Sequence, residues 1–126
     1  MILIDSDVLI WHTRGYAAAK ARLARVNAWR ISAVTYMELA QGCRNQQELQ
    51  RAKRGLVSKN TEIIPITPAI CECAMGLIDT YALSAGLQVA DALISATAIE
   101  RQLTVLTANT RHFSAIEGLS VEAFVP

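Results

Sequence analysis

Histidine and cysteine are scarce here, and those present do not make a metal or disulfide framework. The chain has two histidines, His12 and His112, and three cysteines, Cys43, Cys71 and Cys73. Neither set has the spacing of a zinc site, and Cys71 and Cys73 fall on different sides of a helix. So odd and sparse a cysteine set is expected as small buried or half-buried thiols, without disulfides. No apolar run approaches the roughly 18 residues of a membrane span. The N-terminal segment lacks the basic region that opens an export signal. These two absences lead to the expectation of a soluble cytoplasmic chain with no membrane partner. Repeats, low-complexity tracts and long linkers are also absent, so residues 1–126 are expected to form one domain.

Apolar residues are plentiful, at 52% of the chain, enough for a real core. The formal net charge of +1 conceals an asymmetry. Residues 1–60 carry ten Lys/Arg and four Asp/Glu, a balance of +6; residues 61–126 carry two and seven, a balance of −5. A basic half can attract polyanions even when the whole chain is near neutral. The plainer reading is that Arg22, Arg25, Arg44, Arg51, Lys53 and Arg54 solvate helix faces.

Strand-like and helix-like segments alternate. Ile2-Leu3-Ile4 reads as a short buried strand. Val8-Leu9-Ile10-Trp11 either continues it or begins a helix after Asp5-Ser6-Asp7. Helices are expected over 17–26, around 34–42, over 45–58, from Pro68 to about Ser84, and from 89 to about 101. Further strands are expected at 29–32, 62–66, 103–107 and 120–124, with Pro65 ending the second of these or marking an edge. Asn109 to Ser114 reads as a loop with one helical turn. The alternation predicts an α/β sandwich, helices on both faces of a mostly parallel central sheet.

Three carboxylates stand where a charge is unexpected. Asp5 ends the run Met1-Ile2-Leu3-Ile4, Glu38 lies in Val34-Thr35-Tyr36-Met37-Glu38-Leu39, and Asp91 opens the almost uncharged Val89–Ala98. A buried unpaired carboxylate costs several kcal/mol, so such groups are usually paired or bind a cation. In parallel sheets, ligands gather beyond the carboxyl ends of the strands. Asp5, Ser32 with Glu38, and Asn109 all follow strands, whereas Asp91 starts the helix before one. Each acid also has an ordinary reading: Asp5 as a helix cap, Glu38 as the partner of Thr35 in a capping box, and Asp91 as a first-turn acid complementing the helix dipole. Those readings leave the joint pattern unexplained. Carboxylates about 4 Å apart repel by roughly 4 kcal/mol at an effective dielectric of 20. A divalent ion relieves that repulsion, and oxygen ligands suit Mg²⁺, with Mn²⁺ as a substitute.

The ordered set Ile2-Leu3-Ile4-Asp5-Ser6-Asp7-Val8, Ile31-Ser32-Ala33-Val34-Thr35-Tyr36-Met37-Glu38-Leu39, Val89-Ala90-Asp91-Ala92-Leu93-Ile94 and Leu106-Thr107-Ala108-Asn109-Thr110-Arg111-His112-Phe113 resembles the PIN-domain ribonucleases. Within them it is similar to the VapC-type toxins of toxin–antitoxin pairs. The resemblance covers nearly the whole chain. It implies a three-layer α/β/α fold and Mg²⁺-dependent hydrolysis of RNA, leaving a 5′-phosphate and a 3′-hydroxyl. It implies Asp5 and Asp91 as direct metal ligands, Glu38 as a ligand through water or the residue that orients the nucleophile, and Asn109 as the holder of a water or a second ion. Asp7 is a further candidate, and Ser6 and Thr107 are candidates for hydrogen bonds to the ligands. It also implies a homodimer and a small VapB-like antitoxin, with helices 17–26 and 44–58 as groove walls. The chain departs from the pattern at Asp7, where Asn is frequent, and at Asn109 and His112, where acids are common.

Two other readings remain open. Ile2–Val8 also looks like the nucleophile motif of haloacid-dehalogenase-like phosphatases, with Asp5 phosphorylated and Asp7 as acid/base; the later acidic motif of that family is missing. A non-catalytic PIN fold that binds RNA or protein is the second. His112 invites a general-acid role, but a surface histidine is the simpler reading, and Trp11, Tyr16 and Tyr36 read as core or interface residues before base-stacking ones.

Overall fold

Strands that alternate their side chains between two covered faces explain the apolar runs. A computed structural model describes all 126 residues. Five short strands, β1 (Ile2–Ile4), β2 (Arg30–Ser32), β3 (Glu62–Ile64), β4 (Thr104–Thr107) and β5 (Val121–Ala123), form two all-parallel ladders. One has the order β1-β4-β5 and the other pairs β2 with β3, with β1 beside β2. Leu3 and Val105 point into one core and Ile4 and Leu106 into the other. Both faces are therefore buried, as parallel sheets require.

Helices α1 (Ser6–Thr13), α2 (Ala17–Ala24), α3 (Ala33–Gly42), α4 (Gln46–Ser58), α5 (Pro68–Ala85) and α6 (Val89–Arg101) supply the covering layers. The core on one side gathers Val8, Leu9, Leu23, Leu39 and Leu56 from α1 to α4. The other gathers Ile70 and Ala74 of α5 with Ala92, Ile94, Ala96 and Ala98 of α6. This is the three-layer α/β/α arrangement expected from the sequence. No helix is long and apolar enough to cross a membrane.

Local chemistry sets the element ends. Thr67 caps α5 through its Oγ1, which accepts from the Ile70 amide at 3.2 Å, and Pro68 opens the helix. Gly86 closes it at φ +70°, a left-handed conformation that glycine adopts without strain. Residues 8–11 are helical, not strand, because Asp5 caps α1. Strand β3 stops at Ile64, before Pro65, and lies at an edge. The expected helix 17–26 stops at Ala24, and the strand expected over 103–107 starts at Thr104. Cys71 is exposed and Cys43 and Cys73 are half-buried, so the thiols are less covered than expected, and all are free.

Sequence reading overlooked one buried acid. Glu48 on α4 is 4% exposed and sits under Arg44 at 2.8 Å and Arg14 at 3.5 Å. It is covered by these arginines more than it is deep, and Arg44 above all holds its carboxyl down at about 2. The i,i+4 spacing of Arg44 and Glu48 was the available signal.

The mid-helix residue Ile94 is fully buried in the α5/α6 core. Ile94→Ala is expected to lower the unfolding free energy by about 2–5 kcal/mol. Chemical denaturation measures it; a loss under about 1 kcal/mol would mean that this layer repacks freely.

Candidate active site

Parallel pairing brings the ends of β1 and β4 side by side. The register Ile4↔Leu106 is continued by the Asp5 amide, which donates to the Leu106 carbonyl at 3.0 Å. Asp5 therefore faces Thr107, and the Thr107 hydroxyl donates to Asp5 Oδ2 at 2.7 Å. Asp5 is 7% exposed and Thr107 fully buried. The other Asp5 oxygen accepts from the Ser6 amide at 2.8 Å. Asp5 thus caps α1, as its ordinary reading required, while its other oxygen is held by Thr107.

Asp7 joins the same knot from the first turn of α1. Its Oδ1 accepts from the Val8 amide at 2.7 Å, and its Oδ2 accepts from the Ala108 amide at 3.1 Å. Glu38 reaches in from α3, where Ser6 Oγ donates to its Oε1 at 3.2 Å. The capping box expected for Glu38 does not form. Ser32 is the N-cap of α3, accepting from the Val34 amide, and Thr35 lies inside the helix. Asp91 occupies the first turn of α6, as its ordinary reading required, and its Oδ2 lies 3.4 Å from His112 Nδ1.

These four acids lack strong cationic partners. No lysine or arginine pairs with any of them, and His112 is the one basic neighbour. Burial raises the pKa of Asp5 above the usual carboxylate range, opposed by the hydrogen bonds from Thr107 and Ser6. Burial, then the charge of Asp5, raises Glu38. Burial also raises Asp91, against the pull of His112. Asp7 is pushed up to about 6, by burial first and by Asp5 second. Asp5, Asp7 and Asp91 all act on Glu38, so the acids share one electrostatic field. No three His, Cys, Asp or Glu side chains meet at metal-ligand spacing.

Asn109 stands at the rim. It is exposed, precedes the 3-10 turn Thr110–His112 without capping it through its side chain, and donates through its backbone amide to Thr107 Oγ1 at 3.0 Å. Its side chain makes no hydrogen bond to the acids. The basic half is partly neutralised, since Arg14, Arg22, Arg30 and Arg44 enter ion pairs with Glu48, Glu122 and Glu62. Arg25, Arg51, Lys53 and Arg54 form none and remain available to a polyanion. Trp11 packs against Tyr16 and Phe124, in keeping with a core role.

The sequence pattern of the PIN domain matches residues 2–119. The chain belongs to the PIN-domain family. Ribonuclease VapC10 of Mycobacterium tuberculosis is 36% identical over 130 residues, covering 100% of this chain and 96% of that protein. A toxin–antitoxin complex from Klebsiella pneumoniae contains a chain 30% identical, with a TM-score of 0.82, over 99% of this chain and 98% of that one. VapBC2 from Rickettsia felis, bound to a DNA fragment from their promoter, matches with a TM-score of 0.84 over 99% of this chain and 100% of that one. At 21% identity that last likeness speaks for the fold alone. This PIN domain is of the VapC type, and the phosphatase reading of Ile2–Val8 falls.

The raised carboxylate of Asp7 gives a signed pH dependence. The folded PIN domain holds a proton on Asp7 more tightly than the unfolded chain does, so the associated stability is present at low pH. It is lost as pH rises from 3.8 towards about 6. In EDTA-containing buffer the unfolding midpoint is expected to fall across this window. Asp7→Asn should flatten the fall, and an unchanged slope would show that Asp7 does not carry it.

Proposed function

We propose that this PIN domain is the RNA-cleaving toxin of a toxin–antitoxin pair, a divalent-metal-dependent endoribonuclease. The observation that carries the reading is the knot of Asp5, Asp7, Glu38 and Asp91, whose uncompensated charge is costly in the free protein. A protein keeps such a group of acids when a ligand supplies the missing positive charge.

The donor set is all oxygen and fits Mg²⁺, with Mn²⁺ as a substitute. Mg²⁺ usually keeps several waters and takes one or two carboxylates together with substrate phosphate, so three converging side chains are not required. Asp5 and Asp91 are assigned as direct ligands. Glu38 acts through a water or orients the attacking one, and Asn109 holds a water or a second ion at the rim. Bound there, the ion would lower the pKa of a water and offset charge on the phosphodiester. Thr107 fixes the Asp5 carboxylate and Ser6 fixes Glu38, in the manner of hydrogen-bonding partners behind metal ligands. The free arginines and lysine of the basic half would hold flanking phosphates.

Partners follow from the family. The substrate is RNA, and a VapB-like antitoxin would block the site with a basic side chain among the acids. A homodimer is the expected assembly. Co-expression of the cognate antitoxin should restore growth to cells arrested by this chain.

Purified protein, free of antitoxin, should cut labelled total RNA with Mg²⁺ or Mn²⁺ and not with EDTA. Asp5→Asn and Asp91→Asn should abolish the cutting while the circular dichroism spectrum is retained. Thr107→Val, which removes the hydroxyl donor to Asp5, should lower the rate by about 10–100-fold. Full activity in Asp5→Asn would overturn the assignment. Folded wild-type protein that cuts no RNA would favour a binding role, for which the uncharged Asn109 is the structural argument.

A further inference from the structure

A cavity of about 250 Å³ has Asp91 in its lining. Leu87 and Ile116 are among its apolar residues, and Tyr81, Gln88, Arg111 and His112 supply its polar groups beside the Asp91 carboxylate. The hydrogen-bonding capacity of those polar groups is largely unspent. Gln88 Nε2 donates to the Gly86 carbonyl at 3.2 Å, which leaves the carboxamide oxygen free to accept. Tyr81 Oη accepts from the Glu117 amide at 3.1 Å, which leaves its own proton free to donate. Arg111 forms no side-chain hydrogen bond or ion pair, although it sits beside an acidic site. His112 has its Nδ1 turned to Asp91 at 3.4 Å, so Nε2 is the nitrogen left over. Gln88 precedes α6 without capping it through its side chain, so the fold does not use that side chain as a cap.

Apolar residues with one acceptor and one donor among them match the face and the edge of a nucleobase. A guanidinium beside them matches the phosphate that adjoins that base. Leu87 and Ile116 belong to the core beneath and present an apolar edge to the cavity. Unstacked bases of single-stranded RNA are bound in this way, on an apolar or aromatic surface with hydrogen bonds to their edges.

We propose that this cavity is a nucleobase subsite. It takes the base next to the scissile phosphate, read by Gln88 and Tyr81, with Arg111 on the adjoining phosphate. The position of the subsite relative to the cut rests on the ribonuclease reading above; its affinity for a base does not.

The test titrates the wild-type protein with the four ribonucleoside 5′-monophosphates and with ribose 5-phosphate, following amide shifts by NMR. The nucleotides are expected to move Leu87, Gln88 and Ile116, with one base preferred, and ribose 5-phosphate to leave them in place. Gln88→Leu should weaken the preferred nucleotide on the order of tenfold, the lower range for a lost base-edge contact. In cleavage-site mapping the same variant should redistribute cuts among flanking bases. Equal shifts from ribose 5-phosphate, or nucleotides that leave these residues unmoved, would overturn the subsite. Base binding by a protein that cuts no RNA would support the subsite and count against the nuclease.

Discussion

The rest of the site depends on the register between β1 and β4. Once Ile4 lies opposite Leu106, the next residues along are Asp5 and Thr107, and one hydroxyl proton joins them at 2.7 Å. A one-residue slip would turn every side chain of the strand to the other face. Leu3 and Ile4 would exchange cores, and Asp5 would leave its donor. The two-sided burial of the sheet therefore guards the chemistry, because the apolar alternation that stabilises the layers is also what aims the carboxylate.

Acids are treated differently at this edge and elsewhere in the chain. Elsewhere the chain neutralises its buried acid, with Arg44 and Arg14 over Glu48. At the site it provides hydroxyls and backbone amides, which weaken the desolvation of the acids without cancelling their charge. Such donors hold the geometry and leave the net negative field for a ligand. A lysine in place of Thr107 would satisfy the electrostatics of the free protein by neutralising Asp5.

Most of the architecture was legible because each local signal agreed with the layer it served. Thr67-Pro68 and Gly86 bracketed α5, Pro65 closed β3, and the apolar runs matched strands covered on both faces. The acids Asp5, Glu38 and Asp91 stood out against apolar neighbours, and the fold places them within one another's electrostatic reach, though not at metal-ligand spacing. What the sequence hid were relations across long separations. Thr35 and Glu38 have capping-box spacing, yet Ser32 takes the cap because the chain leaves β2 one turn earlier. Glu48 looked like one charge among many on α4, since part of its cover comes from Arg14, just past the end of α1. The role of Ala108, whose backbone amide holds Asp7, has no side-chain signature at all.

The bond between Thr107 and Asp5 spans a sequence separation of 102 residues. A ribosome making this chain therefore exposes Asp5 long before its partner exists. Strand β4, which positions both, is followed by β5, whose neighbour Phe124 donates its amide to the Thr107 carbonyl at 2.8 Å. This edge is thus assembled from segments that are synthesised far apart in time. A nascent chain that has not yet reached β4 has Asp5 without the hydroxyl and the strand that hold it in place.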